Sequence, residues 1–328
     1  MSDADLVRRF FVNSENELRC GWRILVFLIT CAIAVLLMSV ATRALAVFFP
    51  GLPLAETAES GDGPGTSLFR IGFSSTLALA AVAAATALSA RLLEHRTFLS
   101  VGFQLHSGWF RDLGLSSVIG AATFGVAALV EVAGGALSVH AKAIRSATLF
   151  WFGVSFLVFF LAAAFEEFLV RGFVFQAIAH NLGPAAAVAI TSLIFGIMHL
   201  SNEHVTYFST ANTVLAGAWL GIAYLKTRSL WLATGLHYSW NLTMGFVFGL
   251  PVSGTDLFKQ IGVLGSTARS PVWLSGGTYG PEGGAAATLA VLLSAILIWK
   301  SGLFRQSQEM LVAVRHGTAE RESLTVTP

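Results

Sequence analysis

The chain has 328 residues, 55% of them hydrophobic and 12% charged, with a net charge of +2. A soluble domain carries about a quarter charged residues, so this composition excludes an ordinary soluble protein and points to helices built for lipid. No basic run or aromatic-interleaved patch invites nucleic acid, and Cys20 and Cys31 offer neither a disulfide framework nor a metal spacing.

The N-terminus is polar, mixed in charge and free of a cleavable signal pattern, so the first apolar run is expected to stay as an anchor. Apolar runs over 24–42, 71–90, 115–137, 149–170, 185–200, 208–225, 230–249 and 284–299 predict an all-α polytopic membrane protein of about eight transmembrane helices. The run 185–200 is short and 284–299 is short and Ala-rich, which leaves seven spans as the alternative. With the N-terminus inside, 14 of the 20 Lys and Arg residues fall in inner segments. That bias predicts both termini in the cytoplasm. Residues 91–114 mix charge with aromatics and predict an interfacial segment. The Gly-, Ser- and Pro-rich stretches 43–70 and 250–283 predict flexible external loops.

Three acids fall inside the expected spans: Glu131, Glu166 and Glu167. A charge at mid-bilayer costs about 2.5–3.5 kcal/mol on the mildest scale, so such residues face a bundle interior or a wet cavity. In "AFEEFLVRG", Glu167 and Arg171 are four apart on one helix face, which predicts a structural ion pair. Glu166 points about 100° away and is left without that partner. A carboxylate so placed suits general acid–base work, a hydrogen-bonded structural role or a proton relay.

A turn signal, Asn181 to Pro184, separates the fourth and fifth runs. Glu166 precedes it by fifteen residues and His199, in "FGIMH", follows it by fifteen. Both then lie about 22 Å from the bend, so a helical hairpin that continues through "RGFVFQAIAH" sets them side by side. A core histidine is the plainer alternative. In "HYSWN", His237 and Asn241 again share a face; both can donate to a developing oxyanion or form a polar interhelical contact. Glu131 has no sequence partner and is expected at an interface or pore. Glu203 and His204 are expected in an outer loop.

The three motifs "EEFLVR", "FGIMH" and "HYSWN", in this order on separate helices, resemble those of the CAAX-protease and bacteriocin-processing (CPBP) family of intramembrane proteases. That family includes the type II CAAX prenyl endopeptidase. The resemblance implies an intramembrane endopeptidase. In it Glu166, assisted by His199, activates water, His237 and Asn241 stabilise the oxyanion, and Glu167, Arg171 and Phe195 support the site. It also leaves a zinc ion on Glu166, His199 and His237 open, although no HExxH occurs.

The organisation implied is a cytoplasmic segment 1–23, N-terminal helices and an interfacial segment over 24–148 and a catalytic core over 149–249. An external loop 250–283 and a last helix with a cytoplasmic tail over 284–328 complete it. The partners implied are the bilayer and a membrane-embedded or membrane-surface peptide or protein substrate, with no nucleic acid, and the location a bacterial plasma membrane. A proton-coupled transporter and a non-catalytic scaffold or immunity protein on the same fold are the alternatives.

Overall fold

Apolar runs set the helices, and small residues set how closely they pack. The computed structural model describes residues 8–13, 17–49, 53–54 and 63–310. Part of the expected N-terminal segment, much of the loop 43–70 and most of the tail lie outside them. Helices form at every expected span. They are α1 (Cys20–Phe48), α2 (Pro64–Leu93), α3 (Trp109–Ala133), α4 (Ser146–Glu167), α5 (Phe175–Leu182), α6 (Pro184–Met198), α7 (Tyr207–Thr227), α8 (Leu230–Leu242) and α9 (Ala285–Lys300).

Local chemistry explains the boundaries. Pro184 opens α6 after Gly183, which turns the chain at φ +89°. Thr206 caps α7, its hydroxyl accepting from Ser209 N at 3.0 Å while Thr206 N donates back to Ser209 Oγ. The α1 surface shows Leu36 and Leu37 more than 60% exposed, with leucines and valines along most of its length. Lipid suits such a face and water does not.

The chain is thus a helical membrane-protein fold. Among the described residues four helices, rather than the eight expected, are long and apolar enough to cross: Cys20–Phe48, Pro64–Leu93, Trp109–Ala133 and Ser146–Leu182. Pro184–Met198 and Ala285–Lys300 are apolar but shorter. α8 is short because it is the central rod, buried from Leu230 through Trp240, and its ends answer to neighbouring protein rather than to lipid.

α8 lies along α3 and α4, α7 packs on α6 and α9, α2 packs on α4, and α1 packs on α2 and touches α5 and the segment before it. Backbone proximity sets the α3–α8 seam. A Cβ on Gly120 would strike Ser239 and Leu236 O, and one on Gly235 would strike Ser116 Oγ and sit 2.9 Å from Leu113 O. Such small-residue seams let membrane helices approach. Gly235→Val is therefore expected to destabilise by about 1–3 kcal/mol or more. Gly114→Ala, on the same α3 with nothing within 4 Å, should be neutral or mildly stabilising. Thermal unfolding in detergent reads both, and equal effects would contradict the seam.

The structure refines three expectations. A small two-stranded sheet accompanies the helices of the all-α fold: β1 (Leu137–Ala141) pairs antiparallel with β2 (Leu264–Ala268), Leu137 opposite Ala268 and Ala141 opposite Leu264. The stretch 250–283 is consequently no flexible connector, because β2 and a helical turn at Val272–Ser275 tie it down. Its glycines are used for close turns; at Gly254, φ +90°, a Cβ would strike Glu203 O. Residues 94–106 do more than rest at an interface. Glu94 and His106 are buried, and Phe103 stacks on Trp231 at 4.5 Å.

Candidate active site

α4 does not end at Glu167. It continues into a wider π-helical segment, Phe168–Val174, with a kink at Gly172 (ψ −111°), and then into α5. Such π turns re-aim side chains within a helix. Here they carry Arg171 into the protein interior while keeping it on Glu167. Arg171 Nη1 donates to Glu167 Oε1 at 3.0 Å, both side chains are fully buried, and Arg171 Nη2 donates to Gly217 O at 3.0 Å. The Arg171 guanidinium lies over the Phe195 ring at 4.6 Å.

Phe195 is the floor of the site. Its ring centroid lies 4.7 Å from that of His199 and 5.8 Å from that of His237. His199 caps the end of α6 and donates Nδ1–H to Phe195 O at 2.8 Å. A carbonyl only accepts, so the Nε2 atom is the one left for the cleft. His237 donates Nδ1–H to Glu167 Oε1 at 2.9 Å and likewise presents Nε2. Both Nε2 atoms stand 3.9 Å from Glu166 Oε2, beyond hydrogen-bond length. The Glu166 side chain is 24% exposed, against 14% for His199 and 10% for His237.

Asn241 follows His237 by one helical turn on α8 and lines the same cleft. Among the described residues its amide makes no hydrogen bond. The structure thus brings Glu166, His199, His237 and Asn241 to one place, with Glu167, Arg171 and Phe195 packed behind them. Glu131 is fully buried within the protein, and among the described residues neither of its carboxyl oxygens has a hydrogen-bond partner. Glu203 and His204 are exposed beyond α6.

Two cavities meet at this group. The front one, about 360 Å³, holds Glu166 between α2, α4 and the 252–258 segment. The rear one, only about 40 Å³, runs between α7, α8 and α9. His199, His237, Asn241 and Ser253 line both.

Residues 146–243 match the family model described as Rce1-like, type II CAAX prenyl endopeptidase. The resemblance read from the three motifs is borne out over this segment, which contains all of them. The helices before it and α9 lie outside the match. No curated protein and no solved structure matches the chain. The Rce1-like segment supports a protease-type role and an integral membrane setting with a membrane-associated peptide substrate.

Two features escaped sequence reasoning. Within the Rce1-like segment, Glu167 serves His237 as well as Arg171, and no local pattern links residues 70 apart. Outside the segment, Glu282 reaches the site from the 250–283 stretch, accepting from Trp240 Nε1 at 3.2 Å and from Ser253 Oγ at 2.7 Å.

Zinc was one expectation for Glu166, His199 and His237. A tetrahedral zinc ion with bonds of about 2.0–2.1 Å holds adjacent donors about 3.3–3.4 Å apart. The 3.9 Å pairs are wider, and among the described residues no group of three His, Cys, Asp or Glu is arranged to hold a metal ion. The side chains as placed do not fit the ion.

Proposed function

We propose that the chain is an intramembrane endopeptidase of the glutamate type, hydrolysing peptide bonds in membrane-embedded or membrane-surface substrates. One observation carries this reading: Glu166 Oε2 and two imidazole Nε2 atoms converge at the junction of two cavities, with an uncommitted amide beside them. Glu166 takes a proton from water as it attacks the scissile carbonyl, with His199 Nε2 sharing that proton. The oxyanion is met by His237 Nε2–H and Asn241 Nδ2–H. Donation from Nε2 requires the imidazolium, and the Glu167 carboxylate at Nδ1 supplies the opposing charge. Glu166 or His199 then returns the proton to the leaving amine. Glu167, Arg171 and Phe195 are positioning residues.

The same reading takes all eight helical spans as crossings, with both termini in the cytoplasm of a bacterium and the core at 149–249 as the catalytic unit. Purified chain in detergent or proteoliposomes is expected to cleave members of a membrane-peptide library, with products mapped by mass spectrometry. Cleavage should survive a strong zinc chelator. Loss on chelation with recovery on added zinc would overturn the metal-free chemistry, and proton or ion flux dependent on Glu166 without any cleavage would replace the reading by a transporter.

A further inference from the structure

Three segments meet where α4 starts. Lys142 follows the end of β1, Gln260 and Gly262 lead into β2, and Arg145 precedes the first turn of α4. Between them lies a cavity of about 450 Å³, separate from the two at the candidate active site. Lys142, Arg145, Thr148, Trp151 and Gln260 line it, and no acid does.

The charge of the two cations is not balanced by the protein. Lys142 Nζ donates to Lys259 O, a neutral acceptor, and Lys259 itself pairs with Asp256 at 3.8 Å. Among the described residues neither Lys142 nor Arg145 forms an ion pair. Thr148 Oγ1 accepts from Arg145 N at 3.0 Å, which leaves its hydroxyl proton to donate elsewhere. The start of α4 adds the partial positive charge of a helix N-terminus. Two cations and neutral donors around one space, with no acid among them, match an anion with several oxygens, and a guanidinium fits a phosphate by two parallel bonds.

The surroundings decide which phosphate. Ile144, Leu149 and Phe150, next to the cations in sequence, are each more than 60% exposed. The helix that begins at Ser146 is long and apolar enough to cross the membrane, so its first turn lies where headgroups meet acyl chains. A soluble phosphate gains nothing from that apolar rim. A lipid fills the cavity with its headgroup and covers the rim with its chains.

We propose that this cavity binds the headgroup of an anionic glycerophospholipid, with Lys142 and Arg145 on the phosphate and Thr148 and Gln260 as neutral donors. The headgroup joins the start of α4 to the segments that flank the sheet. The site is independent of Glu166 and of the endopeptidase reading.

The test uses the full chain in neutral detergent, titrated with phosphatidylglycerol or phosphatidylcholine and read by thermal unfolding and by native mass spectrometry. Phosphatidylglycerol is expected to stabilise saturably with one lipid held per chain, and phosphatidylcholine is not. Arg145→Gln, whose lost guanidinium has no partner in the protein, should unfold like wild type without lipid and bind phosphatidylglycerol about fivefold more weakly. Lys142→Gln with Arg145→Gln should weaken binding about thirtyfold. Arg269→Gln, an exposed cation outside the cavity, should bind like wild type. Equal stabilisation by both lipids, wild-type affinity in the double variant, or an equal loss in Arg269→Gln overturns the site. Stabilisation by free sn-glycerol 3-phosphate as strong as by the lipid overturns the lipid assignment in favour of a soluble phosphate.

Discussion

Replacing Glu166 by Gln lowers peptide cleavage by a factor of about 10²–10⁴, the share a positioned general base contributes, and leaves the fold intact. The substitution keeps shape and removes only the charge. The carboxylate lies 3.9 Å from both imidazoles, so it holds neither by a direct hydrogen bond. Its side chain is also more exposed than either histidine. Little structure depends on it, and the unfolding temperature in detergent should match wild type. Cleavage within about threefold of wild type would remove Glu166 from the reaction.

Arg171→Met has the opposite profile. It strands Glu167 as a fully buried carboxylate, and breaking one side of such a pair costs about 3–5 kcal/mol. The loss of the guanidinium also takes away its bond to Gly217 O and its contact with Phe195, the floor under both histidines. The Glu167→Gln, Arg171→Met double variant removes both charges and keeps an acceptor for His237 Nδ1–H, so it should recover much of the lost stability. Activity should stay low, because a neutral Gln cannot oppose the His237 imidazolium. Thermal unfolding of the single and double variants, beside cleavage rates, separates the two effects. Identical stability for Arg171→Met and wild type would show that the pair carries no fold.

On the proposed reading the two adjacent glutamates do different work, and helical periodicity alone separates their directions. The 100° step between neighbours sends Glu167 toward Arg171 and leaves Glu166 to face another helix. The matched spacing of Glu166 and His199 from the Asn181–Pro184 turn was equally legible, because a hairpin brings equidistant residues together whatever its sequence. The kink at Gly172 was not, since a π segment depends on neighbours packed around it.

Local order in the sequence determined the apolar helices, the intramembrane acids, the Glu167–Arg171 pair and the three motifs of the Rce1-like segment. These follow from periodicity and from the cost of charge in lipid, which operate within a few residues. Only the tertiary structure decided that 250–283 is a pinned element, that His237 bonds to Glu167, and that Glu282 stands beside the site. Each joins positions far apart in the chain: β2 to β1, α8 to α4, and the stretch before α9 to Trp240. Strand partners and buried hydrogen bonds are chosen by which groups the packed helices leave unsatisfied, and that is a property of the assembled fold.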